Sequence, residues 1–132
     1  MGIIGFAITF YVLIEIRSIK KSFLTRARLP ELIRDLERAG STLNSNLDKW
    51  PGKKNEARSQ VKIAATLLHS ASQLVPKLER NAALTLEAKF IRAAQTFDER
   101  KFDFPEPVWD LYSDMQSMIT SLKQISKNLK WE

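Results

Sequence analysis

Residues 106–130, EPVWDLYSDMQSMITSLKQISKNLK, contain the clearest periodicity in the chain. Their apolar side chains recur at alternating intervals of three and four residues, at Val108, Leu111, Met115, Met118, Leu122, Ile125 and Leu129. This spacing places them along one face of an α-helix. Pro107 suits the first turn, where its missing backbone N–H would have no partner in any case. The stretch therefore predicts a long amphipathic helix that buries one face against other helices.

The charges of this helix follow the helix dipole. Acidic residues occupy its first third and basic residues its last third: Glu106, Asp110 and Asp114, then Lys123, Lys127 and Lys130. Carboxylates near a helix N-terminus and cations near its C-terminus are each favourable by a few tenths of a kcal/mol, about 0.3–1. Asp110 and Asp114 share a face and would be within reach of a cation, but the dipole explains them, so we predict no metal site.

Three further segments, 30–48, 53–74 and 81–98, have helical periodicity and are separated by residues that interrupt helices. Apolar residues alternate by four and three in the first segment, from Leu29 to Leu47, and again in the second. Trp50-Pro51-Gly52 and Pro76 mark the turns between segments. We therefore predict an all-α protein whose main domain is an up-and-down antiparallel bundle of about four helices. A coiled-coil hairpin that completes its core as an oligomer is the alternative.

The N-terminal run MGIIGFAITFYVLI, residues 1–14, contains no charge, and Glu15 alone interrupts it before Ile16. We predict that residues 1–16 form a single transmembrane helix that acts as an uncleaved signal anchor. The apolar side chains of this anchor are Ile3, Ile4, Phe6, Ile8, Phe10, Tyr11, Val12, Leu13 and Ile14. Sixteen helical residues span about 24 Å, which is short against a hydrocarbon core of about 30 Å.

Other readings of the N-terminal run are less consistent with the sequence. A signal peptide has basic residues before its apolar core and a small-residue cleavage site after it, and this run has neither. A helix that lies in the membrane interface needs a polar face, which residues 2–14 lack. A helix buried in a soluble core remains open.

Basic residues follow the apolar run at once and predict its orientation. Five bases and no acid lie within 17–28, and we predict that they contact lipid headgroups: Arg17, Lys20, Lys21, Arg26 and Arg28. Bases beside an anchor favour the cytoplasmic side. We therefore expect a single-pass protein with its N-terminus outside. A basic juxtamembrane helix extension covers 17–29, and a cytoplasmic bundle covers 30–132. A kink or break near Leu29-Pro30 separates the two, because proline disfavours a helix at the residue before it.

The residue inventory excludes most catalytic chemistry. The chain has no cysteine, a single histidine (His69) and no glycine-rich loop for phosphate. Thiolate nucleophiles, most zinc sites and histidine triads are therefore excluded. With 44% hydrophobic and 27% charged residues the chain has a normal globular composition rather than that of a disordered one. We predict no catalytic residue, metal or cofactor, and no enzyme activity.

The predicted bundle brings aromatic residues together at its far end, meaning the end away from the predicted anchor. These are Trp50, Phe97, Phe102, Phe104 and Trp109. We interpret them first as a cap on the core, and any part of the cluster that is exposed as the candidate partner patch. The expected function is a membrane-anchored helical interaction or scaffold module that binds membrane lipid and either itself or a cytoplasmic protein. Two alternatives stay open. One is a membrane-perturbing effector of the toxin or defence type, and the other is a nucleic-acid-binding helical domain that uses the bases at 49–62.

Overall fold

The computed structural model describes the backbone of residues 3–129 and the side chains of residues 26–129. It contains four α-helices and a short 3-10 helix, and no strand occurs within these described residues: α1 (Ile3–Asp48), α2 (Lys54–Ser72), α3 (Lys77–Gln95), the 3-10 helix (Arg100–Asp103) and α4 (Glu106–Leu129). The prediction of an all-α protein with a bundle of about four helices is confirmed.

Short turns decide how the helices are arranged. Five residues join α1 to α2 and four join α2 to α3, so consecutive helices lie side by side and antiparallel. α2 packs against both α1 and α3, and α1 also packs against α4, whereas α3 and α4 touch over a shorter length. On the surface, Lys123 Nζ of α4 lies 2.7 Å from Glu37 Oε1 of α1. Both side chains are largely exposed, so this ion pair contributes little stability.

The core consists of the apolar stripes that the sequence indicates. Leu29, Leu36 and Leu43 of α1 are fully buried, as are Val61 and Leu68 of α2. In α4 the heptad residues from Val108 to Leu122 are buried, and Ile125 packs against the core with partial exposure. Many buried residues of α2 and α3 are alanines: Ala57, Ala64, Ala65, Ala71, Ala83, Ala93 and Ala94. Such small side chains leave room for neighbouring helices to approach closely.

α1 is unbroken at Pro30, where the sequence predicts a kink or break followed by a new helix. A proline inside a helix loses one hydrogen bond and clashes with the preceding turn, at a cost of about 3 kcal/mol. Leu29 and Ile33, on either side of it, are both buried in the core. Burying each of these side chains contributes about 1.5–3 kcal/mol, which is enough to offset that cost. The break expected from local preference is therefore absent, and α1 continues through Pro30.

α3 begins four residues earlier than the periodicity predicts. Lys77 to Arg80, expected to be a connection, forms its first turn, and Pro76 precedes it with an extended backbone. Pro76 cannot continue α2, but its ring conformation suits the start of the next helix. The buried Val75 fixes the turn against the core. The predicted segment 81–98 is thus shifted toward the N-terminus, and α3 ends at Gln95.

Among the residues that the structure describes, no helix is long and apolar enough to cross a membrane. The side chains of residues 1–25, which include the whole predicted anchor and Arg17, Lys20 and Lys21, lie outside the described residues. The transmembrane anchor therefore has no support from the described part of the structure. Arg26 and Arg28 are described, and both are exposed on α1. The domain limits, the lipid contacts and the single-pass localisation stay predictions.

Candidate functional site

Three of the five predicted patch residues close the far end of the core. Phe97 and Phe102 stack with their ring centroids 4.8 Å apart, and Trp50 meets Phe97 edge-on at 5.8 Å. The indole N–H of Trp50 donates a hydrogen bond to the Asp103 carbonyl at 3.2 Å. Phe97 is 1% exposed and Phe102 is 2% exposed. The two phenylalanines are thus part of the core, and their rings are not accessible to a partner.

The other two patch residues lie nearer the surface. Trp109 is half-buried and meets Tyr112 edge-on, with 5.7 Å between ring centroids. Phe104, in the loop before α4, is 67% exposed. Partner binding at this end stays a prediction, and it would involve Phe104 and the outer parts of Trp50 and Trp109.

Lysines surround the aromatic cluster. Lys54 Nζ lies 6.0 Å from the Trp50 ring centroid and 5.9 Å from that of Phe97, while Lys101 Nζ lies 5.3 Å from that of Phe102. Contacts of this kind contribute about 0.5–1 kcal/mol at exposed sites. Lys53 pairs with Glu56 at 4.0 Å. Two of the bases that would contact nucleic acid under the alternative function therefore have weak partners within the chain, at sites where exposed contacts contribute little.

A groove of about 570 Å³ lies between α2 and α3, on the outside of the bundle. At one end Arg58 Nε donates a hydrogen bond to the Ala94 carbonyl at 3.0 Å. Toward the other end His69 Nδ1 lies 3.1 Å from Glu87 Oε1. Between these two contacts the lining consists of Ala65 and Ile91, which is 42% exposed, together with Lys62 and Thr66. We call this feature the α2–α3 groove.

Sequence reasoning singled out His69, as the single histidine, and the bases at 49–62, which include Arg58 and Lys62, without finding the α2–α3 groove. The His69 side chain is exposed beside Glu87. The two residues are 18 positions apart and on different helices. Helical periodicity shows which residues of one helix share a face, but not which faces of two helices meet. No signal in the sequence would have paired His69 with Glu87.

Residues with metal or acid-base chemistry are dispersed. Within the described residues no group of three or more His, Asp or Glu side chains could hold a metal ion. Asp114, which shares a helix face with Asp110, lies 3.8 Å from Lys89 Nζ of α3. This lysine supplies a counter-ion for the carboxylate. The absence of enzyme activity stays a prediction.

Two asparagines near the end of α1 differ in their hydrogen bonding. Asn44 Nδ2 donates a hydrogen bond to Tyr112 Oη of α4 at 3.2 Å. Asn46 is 7% exposed, and its Nδ2 has no hydrogen-bond partner among the described residues. A buried amide without a partner costs about 1–3 kcal/mol, because it has lost its hydrogen bonds to water. Asn46 is therefore a weak point in the core.

Replacing Asn46 with leucine is expected to raise the free energy of unfolding by about 1–2 kcal/mol, because it removes the unpaired amide. Denaturation of the full chain in a mild detergent, followed by circular dichroism, measures the change. The matched variant Asn44→Leu breaks the hydrogen bond to Tyr112 and is expected to lower stability by about 1 kcal/mol. Destabilisation by Asn46→Leu would contradict the assignment and indicate that a bound water satisfies the amide.

No family model matches this chain, and no curated protein or solved structure is similar enough to it to count as a match. The function is therefore inferred from the sequence and from the geometry described above.

Proposed function

We propose that the protein is a membrane-anchored helical interaction module, in which residues 1–16 hold the chain at a bilayer and the bundle binds a protein. The continuity of α1 carries the proposal. This helix runs from Ile3 to Asp48 without interruption, so it joins the apolar N-terminal run to the stripe Leu29–Leu47 in the bundle core. An apolar segment on a helix that continues into a folded domain is a suitable arrangement for a tether.

The sequence of the N-terminal segment supports the membrane part of the proposal. Residues 1–14 contain no charged side chain, and five bases follow between residues 17 and 28. Such bases attract anionic lipids and favour the cytoplasmic side. The segment is short by about 6 Å for a bilayer of about 30 Å, and local thinning or association of several anchors accommodates such a mismatch.

Exposed apolar side chains on the bundle support the binding part. Among the described residues, five large apolar side chains are exposed: Ile63, Leu78, Leu84, Ile91 and Phe104. Leu78, in the first turn of α3, is 79% exposed. Single exposed apolar residues are ordinary, but Leu84 and Ile91 share one face of α3, and apolar patches of this kind mark interaction surfaces. Binding to a partner, rather than catalysis, is the activity that this surface supports best.

Membrane fractionation with protease protection tests the anchor. The full chain is expected to sediment with membranes, to resist carbonate extraction, and to be digested only after the cytoplasmic side is opened. A chain lacking residues 2–16 is expected in the supernatant, with the helical circular dichroism of a folded bundle. The full-length variant Ile8→Lys places a charge in mid-span at a cost of about 2.5–3.5 kcal/mol, so its membrane fraction is expected to fall.

The matched control is Ile63→Lys, the same change on the surface of the bundle, where the native side chain is 47% exposed. Its fractionation is expected to equal that of the unmodified chain. Equal solubility of the full chain and the chain lacking residues 2–16 would reject the anchor and with it the membrane part of the proposal.

A further inference from the structure

The near end of the bundle is the end at which α1 enters it, and it consists of four short stretches. These are residues 26–31 of α1, the α2–α3 turn at 73–76, the first turn of α3 at 77–80, and the end of α4 at 126–129. α1 is exposed from Arg26 to Arg28 and buried at Leu29, so the core begins here. A bilayer that holds residues 1–16 would therefore face this end of the bundle.

The near end is positively charged. Its charged residues are five bases and two acids, a net charge of +3: Arg26, Arg28, Lys77, Arg80 and Lys127, with Glu31 and Glu79. The next acids along α1, Asp35 and Glu37, are paired with Arg38 and Lys123. The far end, taken as residues 46–54 and 96–106, has five bases and five acids. The positive excess is therefore a property of the near end alone.

Most of the bases at the near end are available to a ligand. Arg28, Lys77 and Lys127 are exposed, and Arg80 is partly exposed. None of these four side chains forms an ion pair within the described residues. They lie on three different helices, so the positive charge is spread over the end of the bundle rather than held in a pocket. A flat anionic surface suits this distribution.

Leu78 is the most exposed large apolar side chain of the described residues, at 79%. It belongs to the first turn of α3, directly after Lys77. Side chains of an α-helix tilt toward its N-terminus, so both residues are tilted toward the near end. An apolar side chain among bases is an arrangement that binds anionic membranes, because the bases attract the headgroups and the apolar group enters the interface.

The contacts between helices give the level of Leu78 along α1. Arg28 and Leu32 line one cavity together with Leu74, so Leu74 is about level with residue 30 of α1. His69 and Glu87 lie side by side, and Leu78 is nine residues before Glu87, whereas Leu74 is five residues after His69. Leu78 therefore lies about four residues beyond Leu74 toward the near end, about level with residue 26 of α1.

At this level Leu78 can reach the proposed membrane. If residue 17 marks the hydrocarbon edge, residue 26 lies about 14 Å from it. α1 and α3 do not contact each other in the described part of the chain, so they lie across the bundle, roughly 13 Å apart. A tilt of about 20°, the average for transmembrane helices, then lowers α3 by about 4 Å. The tip of the Leu78 side chain comes within about 5 Å of the hydrocarbon edge, inside an interfacial layer about 5–7 Å thick.

We propose that the near end of the bundle binds the surface of a bilayer that contains anionic lipid, with Leu78 in the interface and Lys77 and Arg80 beside the headgroups. This inference rests on the proposed function, because the anchor brings this end to the bilayer. It adds a second point of contact, which sets the direction in which the bundle leans. The bases at 17–28 extend the same positive surface toward the membrane, which favours a bilayer over a protein partner here.

Because the chain has no cysteine, one introduced cysteine gives a single labelled site. Full-length Leu78→Cys, labelled with the polarity-sensitive fluorophore NBD, is placed in nanodiscs of phosphatidylcholine alone or mixed equally with phosphatidylserine. We expect NBD emission to rise at least twofold and to shift to the blue when phosphatidylserine is present. The control Phe104→Cys carries the label at a similarly exposed side chain, 67% against 79%, at the far end. Its emission is expected to be the same in both nanodiscs.

Charge reversal tests the role of the bases in the labelled Leu78→Cys chain. Lys77→Glu combined with Arg80→Glu is expected to remove at least half of the rise. The control combines Lys62→Glu with Arg92→Glu, which changes the net charge equally at exposed positions away from the near end. It is expected to leave the rise intact. Unchanged helical circular dichroism of both variants excludes unfolding as the cause.

Equal emission from residue 78 in the two kinds of nanodisc overturns the proposal, as does an equal rise at residue 104. A rise that the reversal at Lys77 and Arg80 leaves unchanged overturns it too. Size-exclusion chromatography of the same samples reports on the anchor separately, since an anchored chain elutes with nanodiscs of phosphatidylcholine alone. A chain that does so without a rise at residue 78 refutes this inference and retains the anchor. A chain that elutes only with phosphatidylserine nanodiscs, with the rise, refutes the anchor and retains the inference.

Discussion

Replacing Phe97 with alanine will lower the free energy of unfolding by about 3–5 kcal/mol. This is the expected cost of removing a large ring from a site that cannot collapse around the cavity. Phe97 is 1% exposed, and it contacts the rings of both Trp50 and Phe102. Its loss leaves those two rings without their shared neighbour. Chemical denaturation of the full chain in a mild detergent, followed by circular dichroism, gives the difference.

Phe104→Ala is the matched control, because it removes the same ring from the same end of the bundle. Phe104 is 67% exposed, so its replacement is expected to change the free energy of unfolding by less than about 0.5 kcal/mol. Similar losses for the two variants would show that Phe104 is also covered in the folded protein. A small loss for Phe97→Ala would mean that the far end of the core is not closed as described.

Replacing Gly40 with leucine is the second substitution expected to destabilise strongly, by about 1–3 kcal/mol or more. Gly40 is buried where α1 meets α4. A Cβ at this position would lie 3.0 Å from both Met115 Cε and Gln116 Nε2. The remaining atoms of a leucine side chain can be accommodated only if α1 and α4 move apart, which would weaken the buried contacts of Leu36 and Leu43.

Gly40→Ala separates the size of the side chain from the loss of glycine. Alanine favours a helix by about 1 kcal/mol over glycine, and the two close atoms are the ends of flexible side chains that can move aside. The net change is therefore expected to be near zero. The surface control Ser41→Leu adds the same side chain on the exposed face of α1 and is expected to have little effect. If Gly40→Leu were as stable as this control, the close approach of α1 and α4 would be disproved.

The spacing of apolar residues along the chain was sufficient to predict the helices that bury one continuous apolar stripe. The heptad in α4 gave both its limits and its buried face, because a stripe over six turns specifies a helix regardless of its neighbours. The stripe from Leu29 to Leu47 likewise gave the buried face of that part of α1. Ile119 is also buried, and the sequence analysis did not predict this. It lies next to the heptad residue Met118 but outside the heptad positions, so the periodicity did not include it.

Features that depend on two segments at once were not predictable in this way. Local preference placed an interruption at Pro30, but burial of Leu29 and Ile33 outweighs the lost hydrogen bond. The predicted bundle topology placed Phe97 and Phe104 in one aromatic group. Only the packing of Phe97 against Trp50 and Phe102 makes it part of the core, while Phe104 stays at the surface. The α2–α3 groove is of the same kind, since it exists only where two particular helix faces meet.

The unbroken course of α1 also sets how far from a bilayer the protein would act. Ala39 lies level with the middle of α2, beside Gln60, Ile63 and Leu67. If residue 17 marks the edge of the hydrocarbon, the 22 helical residues from there to Ala39 place the middle of the α2–α3 groove roughly 30 Å from that edge. With the proposed anchor in place, a molecule confined to the lipid surface would be out of reach of this part of the bundle.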